Sequence, residues 1–398
     1  MSLKMKNLTY LLIFFSSIAI AGEESDINRL QIHGFASQAL IFTTDNNFFG
    51  NSDHGSADFT ELGLNASFQL SPKIRLAGQL LSRHAGEMYN GSPRIDYALM
   101  DINFISSMQG RMGMYLGRIK NPIGLYNETR DVAFTRQGIF AAQSIYFDKV
   151  RNLLLSSDGA QLYSNYDLPN GTLILRAGVG YSIPDKNVEQ VYLGKNYAGK
   201  LKSNKLAYIG QMMYEHDGGR WITSLTGVTL DINYNSQPAD LLSGINDGII
   251  SVDYTVLSSQ FNGEKWQFNG EVSFEKIAYQ GISVFHQSLN SNSLGYSLEA
   301  SYQFTPSLQA FVRSEQFYLD KHDKYGKKFH TTYPFLSTNP RYSKSWVIGG
   351  RWDINKNWMA RAEYHSIEGV ATLSPSENNP ETAAKNWDLF AMSLSYRF

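Results

Sequence analysis

Along this whole chain, tight turns and long polar connections alternate, and each joins segments that are apolar on one parity and polar on the other. The tight turns read at Ser71-Pro72-Lys73, 106–110, 168–171, 217–219, 262–264, 305–307 and 355–357, with the Gly, Pro, Asn or Ser chemistry that suits reverse turns. The long connections fall near 44–58, 85–92, 118–157, 181–202, 233–247, 280–293, 320–341 and 368–385. A sheet with tight turns on one side and long loops on the other is the plan of a barrel that crosses a bilayer, the turns periplasmic and the loops outside.

The segments themselves have the period of two that belongs to β structure. Trp266-Gln-Phe268-Asn-Gly270-Glu-Val272-Ser-Phe274 is the clearest, and Tyr296 to Phe304, Ile74 to Leu80 and Trp358 to Tyr364 repeat it. A soluble sandwich would alternate too, so the spacing of the connections decides. Strands are expected near 30–43, 59–70, 73–84, 93–105, 110–117, 158–167, 171–181, 203–216, 219–232, 248–261, 264–279, 294–304, 307–319, 342–354, 357–367 and 386–398. The fold class is therefore all-β: a transmembrane, antiparallel, up-and-down barrel of about sixteen strands, each long enough to cross ~25 Å of hydrocarbon at a tilt. Trp221, Trp266, Trp346, Trp358, Trp387, Tyr396 and Phe398 stand near strand ends, where amphipathic rings favour the membrane interface.

Both ends fit export to an outer membrane. Lys4 and Lys6 precede an apolar run from Leu8 to Ile20 that is shorter than the ~20 residues of a spanning helix and closes on Ala19-Ile20-Ala21. Residues 1–21 are thus expected to be a cleaved signal peptide and residues 22–398 a single barrel domain. Losing the two lysines takes the formal net charge from -1 to about -3, and nothing in it suggests nucleic acid. With no cysteine, stability must come from elsewhere than disulfides. At the far end, Met392-Ser-Leu394-Ser-Tyr396-Arg-Phe398 is similar to the terminal signal by which bacterial outer-membrane barrels are recognised for assembly.

A sheet of sixteen strands cannot fill its interior with its own side chains, so function follows partly from strand number. The polar parity offers Arg75, Gln79, Arg83, Glu271, Glu275, Glu299, Arg313, Glu315, Arg351, Asp353, Arg361, Glu363 and His365 to the lumen. The arginines among them, Arg75, Arg83, Arg313, Arg351 and Arg361, are the wall residues of most interest. One connection, Arg118 to Ser157, is both long and comparatively apolar; Ile123 to Tyr126 and Gly138 to Phe147 would sit badly in water but could pack on an inner wall.

On that loop and strand number, the chain resembles the trimeric porins of Gram-negative bacteria, whose long third loop folds into the lumen as a constriction. Gly117-Arg118-Ile-Lys120-Asn-Pro122-Ile-Gly124 leads into the loop much as Gly/Arg and Pro-Gly segments do in several porin families, although the Pro-Glu-Phe-Gly-Gly sequence of the enterobacterial general porins is missing. The resemblance implies a passive channel for small hydrophilic solutes and ions, a homotrimer, and assembly by the barrel-assembly machinery. It implies that Glu128, Arg130, Asp131, Arg136, Asp148, Lys149 and Arg151 form the constriction and oppose wall arginines across a transverse field. No catalytic residue, metal or cofactor is called for. Asp45, Asn46, Asn47, Asn51, Asp53 and Asp58 crowd the first loop without the spacing of a calcium site, and a basic seventh loop with Lys321, Lys324, Lys327, Lys328, His322 and His330 faces lipopolysaccharide phosphates or anions. An adhesin or phage-receptor barrel and, more remotely, a barrel hydrolase are the rival functions. Solute identity and the sign of ion selectivity stay open.

Overall fold

Backbone hydrogen bonds, which lipid cannot satisfy, are all placed between neighbouring strands when a sheet closes on itself, and the computed structural model of this chain does so. It describes residues 29–398; the expected signal peptide, residues 1–21, lies outside the described residues. Sixteen long strands appear: β1 (Leu30–Thr43), β2 (Ser56–Ser71), β3 (Ile74–Ala85), β4 (Arg94–Ser107), β5 (Gly110–Lys120), β6 (Ser156–Leu168), β7 (Gly171–Ser182) and β8 (Ala207–His216) form one half. The other half is β9 (Trp221–Asn235), β10 (Gly248–Asn262), β11 (Trp266–Gln280), β12 (Ser291–Thr305), β13 (Leu308–Tyr318), β14 (Tyr342–Asp353), β15 (Trp358–Gly369) and β16 (Asn386–Arg397). Two short strands, Tyr89–Asn90 and Lys200–Lys202, add to the outer rim. Each long strand pairs antiparallel with its sequence neighbour, and β1 pairs with both β2 and β16, which closes the barrel. The expected strand at 203–216 begins four residues later, at Ala207.

The barrel is inside out relative to a soluble protein. On β11, Phe268 and Phe274 are exposed on the outer face while Asn269, Glu271, Ser273 and Glu275 are buried on the inner one. Leu298 on β12 is 60% exposed and its neighbour Ser297 only 5%. A continuous apolar exterior is what a lipid-facing wall requires. Trp221, Trp266, Trp346 and Trp358 belong to that exterior. Trp387 does not: it is buried at the inner rim and its indole N–H donates to the Gly369 carbonyl at 3.3 Å.

Toward the outer ends of β9 and β10 the parity reverses. Leu230, Ile232, Ile250, Val252, Tyr254 and Val256 point inward and are buried, while Thr229 and Asp253 face outward and hydrogen-bond each other at 2.7 Å. The reason lies in the lumen. Apolar residues of the connection between β5 and β6, Ile145, Phe147, Leu153 and Leu154 among them, share one core with this patch of wall. A second core joins loop residues Phe48, Phe49 and Phe140 to Phe59 and Trp387, with ring centroids of Phe48 and Phe140 5.1 Å apart.

Candidate functional site

The connection between β5 and β6, residues 121–155, runs through the barrel interior. Thirty-odd residues without a sheet of their own carry many peptide groups that must find partners once buried. The wall supplies them. Glu363 on β15 accepts the backbone N–H of Ile139 at 2.7 Å, and Glu315 on β13 accepts that of Ser144 at 3.2 Å. Arg361 donates to the carbonyls of Ala133 and Gly138, and Arg351 to those of Phe134 and Arg136. Across the lumen, Gln211 on β8 and Thr226 on β9 both donate to the Pro122 carbonyl, and Tyr254 on β10 donates to that of Ile145 at 2.7 Å. Glu271 accepts from the Tyr146 hydroxyl at 2.7 Å and from the Leu125 N–H at 3.1 Å. Gly124 has φ +58°, and a Cβ there would lie 2.4 Å from the Tyr146 oxygen, so this approach admits no side chain.

Charge completes the docking. Arg83 on β3 bonds Glu61 on β2 at 2.9 Å and Asp148 of the loop at 3.1 Å. Asp148 also meets Arg130 at 3.2 Å and Arg151 at 3.9 Å. Lys120, at the end of β5, reaches Asp96 on β4 at 2.8 Å and Asp131 at 2.6 Å, and Asp131 accepts a further bond from Gln79 at 2.5 Å. Four cations therefore interleave with four carboxylates, nearly all of them buried. Burial alone would raise the Asp148 pKa, yet Arg83, Arg130 and Arg151 together bring it down to about 2. The Asp131 carboxyl is likewise held below the usual carboxylate range, because Lys120 and Arg151 outweigh its desolvation.

The residues singled out for a constriction are thus in contact with one another and with the wall, and do not face each other over open water. Asp131, Arg130, Arg151, Arg136 and Asp148 are buried. Arg136 donates to the carbonyls of Arg130 and Ile139 and holds the loop's own bend. Glu128 is partly exposed and pairs with Arg176 on β7, and Lys149 donates to the Ala371 carbonyl at 2.5 Å. Of the wall arginines, Arg313 is paired with Glu299 at 3.2 Å and Glu315 at 2.7 Å, while Arg75 pairs with Asp101 at 3.2 Å and keeps much of its side chain in solvent. The sequence reading did not single out Lys120, Asp96 or Glu61, whose role depends on side chains brought from three different strands. In the first loop, Asn46 and Asn47 bond loop residues Ala384 and Asn378.

Among the spaces beside the loop are two of about 20 and 30 Å³, one lined by Tyr126, Arg136, Asn269, Glu299 and Arg313, the other by Gln143, Glu315, Ser345 and His365. Each has room for a water molecule or two. Above them opens a vestibule of about 680 Å³ between the loop and the outer connections.

A closed, sixteen-stranded antiparallel barrel with an apolar exterior and its third long connection packed into the lumen is a porin-like fold. Solved structures carry the same fold. The anion-selective porin from Comamonas acidovorans aligns over 93% of this chain and 99% of its own at 12% identity, with a TM-score of 0.58. The outer membrane channel DcaP of Acinetobacter baumannii and OmpF of Salmonella typhi each align over 93% of this chain and 97% of theirs, at 13% identity and a TM-score of 0.56. No family model and no curated protein matches the sequence.

Proposed function

We propose that this protein is a porin of the bacterial outer membrane, a narrow passive channel for small hydrophilic solutes and ions. One observation carries the reading: an apolar outer wall surrounds an inner wall whose arginines and glutamates hold an infolded loop, with small water-sized spaces beside that loop. The names of its structural neighbours, a porin and an outer membrane channel among them, support the same function. Export through a cleaved segment at residues 1–21, assembly through Tyr396 and Phe398, trimerisation, and contact of the basic seventh loop with lipopolysaccharide belong to this proposal. A hydrolase is disfavoured at Ser283 and His286: the serine hydroxyl lies 2.8 Å from one ring nitrogen, but the other faces the Tyr197 hydroxyl and not a carboxylate.

The test is a planar bilayer. Purified protein gives small ohmic steps in groups of three, and deletion of Ile139 to Phe147, which removes much of the infolded segment without touching the strand ladder, raises conductance and admits larger sugars in a liposome-swelling assay. Insertion without conduction in both forms would favour an adhesin or receptor barrel.

A further inference from the structure

The vestibule above the loop has a chemistry that a channel for hydrophilic solutes does not need. Its walls come from the third, fourth, sixth, seventh and eighth long connections and the ends of β11 and β13, and they are largely aromatic and aliphatic, with Phe147, Tyr192, Phe285, Phe317, Phe329 and Leu319 among them. Its volume, about 680 Å³, falls in the range of about 300–1,000 Å³ typical of small-molecule sites, which are mostly apolar with a few converging polar groups.

Three of its polar groups, Arg341, Lys149 and Lys195, are cations with no carboxylate within ion-pair distance among the described residues, and Lys195 donates to the Ser376 carbonyl at 3.3 Å. Arg341 is only 8% exposed; its guanidinium carbon lies over the Phe329 ring, 4.2 Å from the centroid, and its Nε has no hydrogen-bond partner. Asp320 and Asp323 bear on it from the same loop, but their carboxylates accept the backbone N–H groups of His322 and Phe329. Lys149, rising from the infolded loop, has one bond, to the Ala371 carbonyl. Of the acidic groups of the same cavity, Glu275 accepts from the Ser293 hydroxyl at 3.1 Å and faces Lys149 beyond ion-pair distance, and Glu381 accepts from the Ser337 N–H at 2.5 Å. A buried Nε without an acceptor is costly, and the guanidinium's planar fork matches a carboxylate.

We propose that this vestibule binds an amphipathic organic carboxylate, an aromatic or short aliphatic acid whose oxygens meet Arg341 and Lys149 and whose body lies against the phenylalanines. The inference deepens the channel reading, in that it gives the pore's outer mouth a preferred class of solute, and it rests on that reading only for the direction of traffic.

The test uses the full protein in dodecyl maltoside, titrated calorimetrically with sodium 1-naphthoate, sodium acetate and 1-naphthalenemethanol. Naphthoate is expected to bind, acetate and the alcohol at least about tenfold more weakly, since each lacks one half of the recognition. Arg341→Gln and Lys149→Gln are each expected to weaken naphthoate by about tenfold to a hundredfold, the range for a hydrogen bond to a charged group. Heat-modifiability shows that each variant is a folded barrel, and Lys149→Gln keeps the test decisive should Arg341→Gln not fold. Equal binding of naphthoate and the alcohol, or indifference to both substitutions, overturns the site. Single-channel recording separates the two readings: conduction that naphthoate neither blocks nor slows removes the site and leaves the porin, whereas naphthoate binding by a barrel that never conducts leaves the site and removes the porin.

Discussion

Arg83, on the third strand, places Nη2 3.1 Å from Asp148, 65 residues further along the chain and within the infolded loop. The same guanidinium holds Glu61 of the second strand at 2.9 Å and lies over the rings of Phe49, Phe59 and Tyr89 at 5.0–5.3 Å. One side chain thus links wall, outer loop and plug. Arg83→Ala leaves two buried carboxylates short of a partner, a loss on the order of 3–5 kcal/mol for a buried pair. The expected outcome is higher conductance and faster proteolysis within 121–155, with the barrel still heat-modifiable. Unchanged conductance and protease resistance would mean that the loop is held without this link.

Charge reversals in the loop should separate into two kinds. Glu128 is partly exposed beside Arg176, so Glu128→Lys is expected to shift reversal potentials toward anion preference with little loss of folding. Asp131 is fully buried between Lys120 and Gln79, and Asp131→Lys would place a cation against Lys120 and Arg151, so it is expected to unseat the loop. Reversing Lys324 or Lys327 in the exposed seventh loop should matter less and fade with salt, the Debye length being ~10 Å at 0.1 M. Indistinguishable effects from the three reversals would remove the loop from the conducting path.

Acid should release the loop late. The folded-state pKa of Asp148 is depressed to about 2, so its contribution is complete above the ordinary aspartate value near ~3.9 and is lost as pH falls through about 2. Conductance is expected to hold steady from pH 7 to pH 5 and to rise between about pH 4 and pH 2, and in Asp148→Asn that step should vanish. A transition completed by pH 5 would assign loop docking to other groups.

The C-terminal residue closes the ring. Phe398 donates its N–H to the Gly34 carbonyl at 3.1 Å and accepts from the Gly34 N–H at 3.3 Å. A Cβ at Gly34 would lie 2.4 Å from the Phe398 ring, so the glycine leaves room for the aromatic. Removing Phe398 is expected to spare export but to lower the yield of heat-modifiable barrel in outer-membrane fractions several-fold. Gly34→Val should mimic it in part. Full yield without Phe398 would reduce the terminal aromatic to an ordinary strand residue.

Most strands were legible from period and punctuation: a segment such as Trp266 to Phe274 can present its phenylalanines to the exterior and its glutamate to the barrel interior in one arrangement only. The loop's entry into the lumen was legible as well, because Ile139, Phe140, Ile145 and Phe147 had nowhere else to go. Which partner each charge would find was not. Period two says that Glu271 and Glu363 share the inner side of the wall, but their bonds to Tyr146 and Ile139 depend on how the barrel's curvature brings strands more than a hundred residues away to the loop. The same holds for β9 and β10, where the alternation is plain but its sense is reversed, since Ile250 and Tyr254 meet an apolar loop before they can meet lipid. Local sequence determines periodicity because pleating is a property of neighbouring residues; closure of the ring, and the contents of its interior, decide which side of that periodicity is inside.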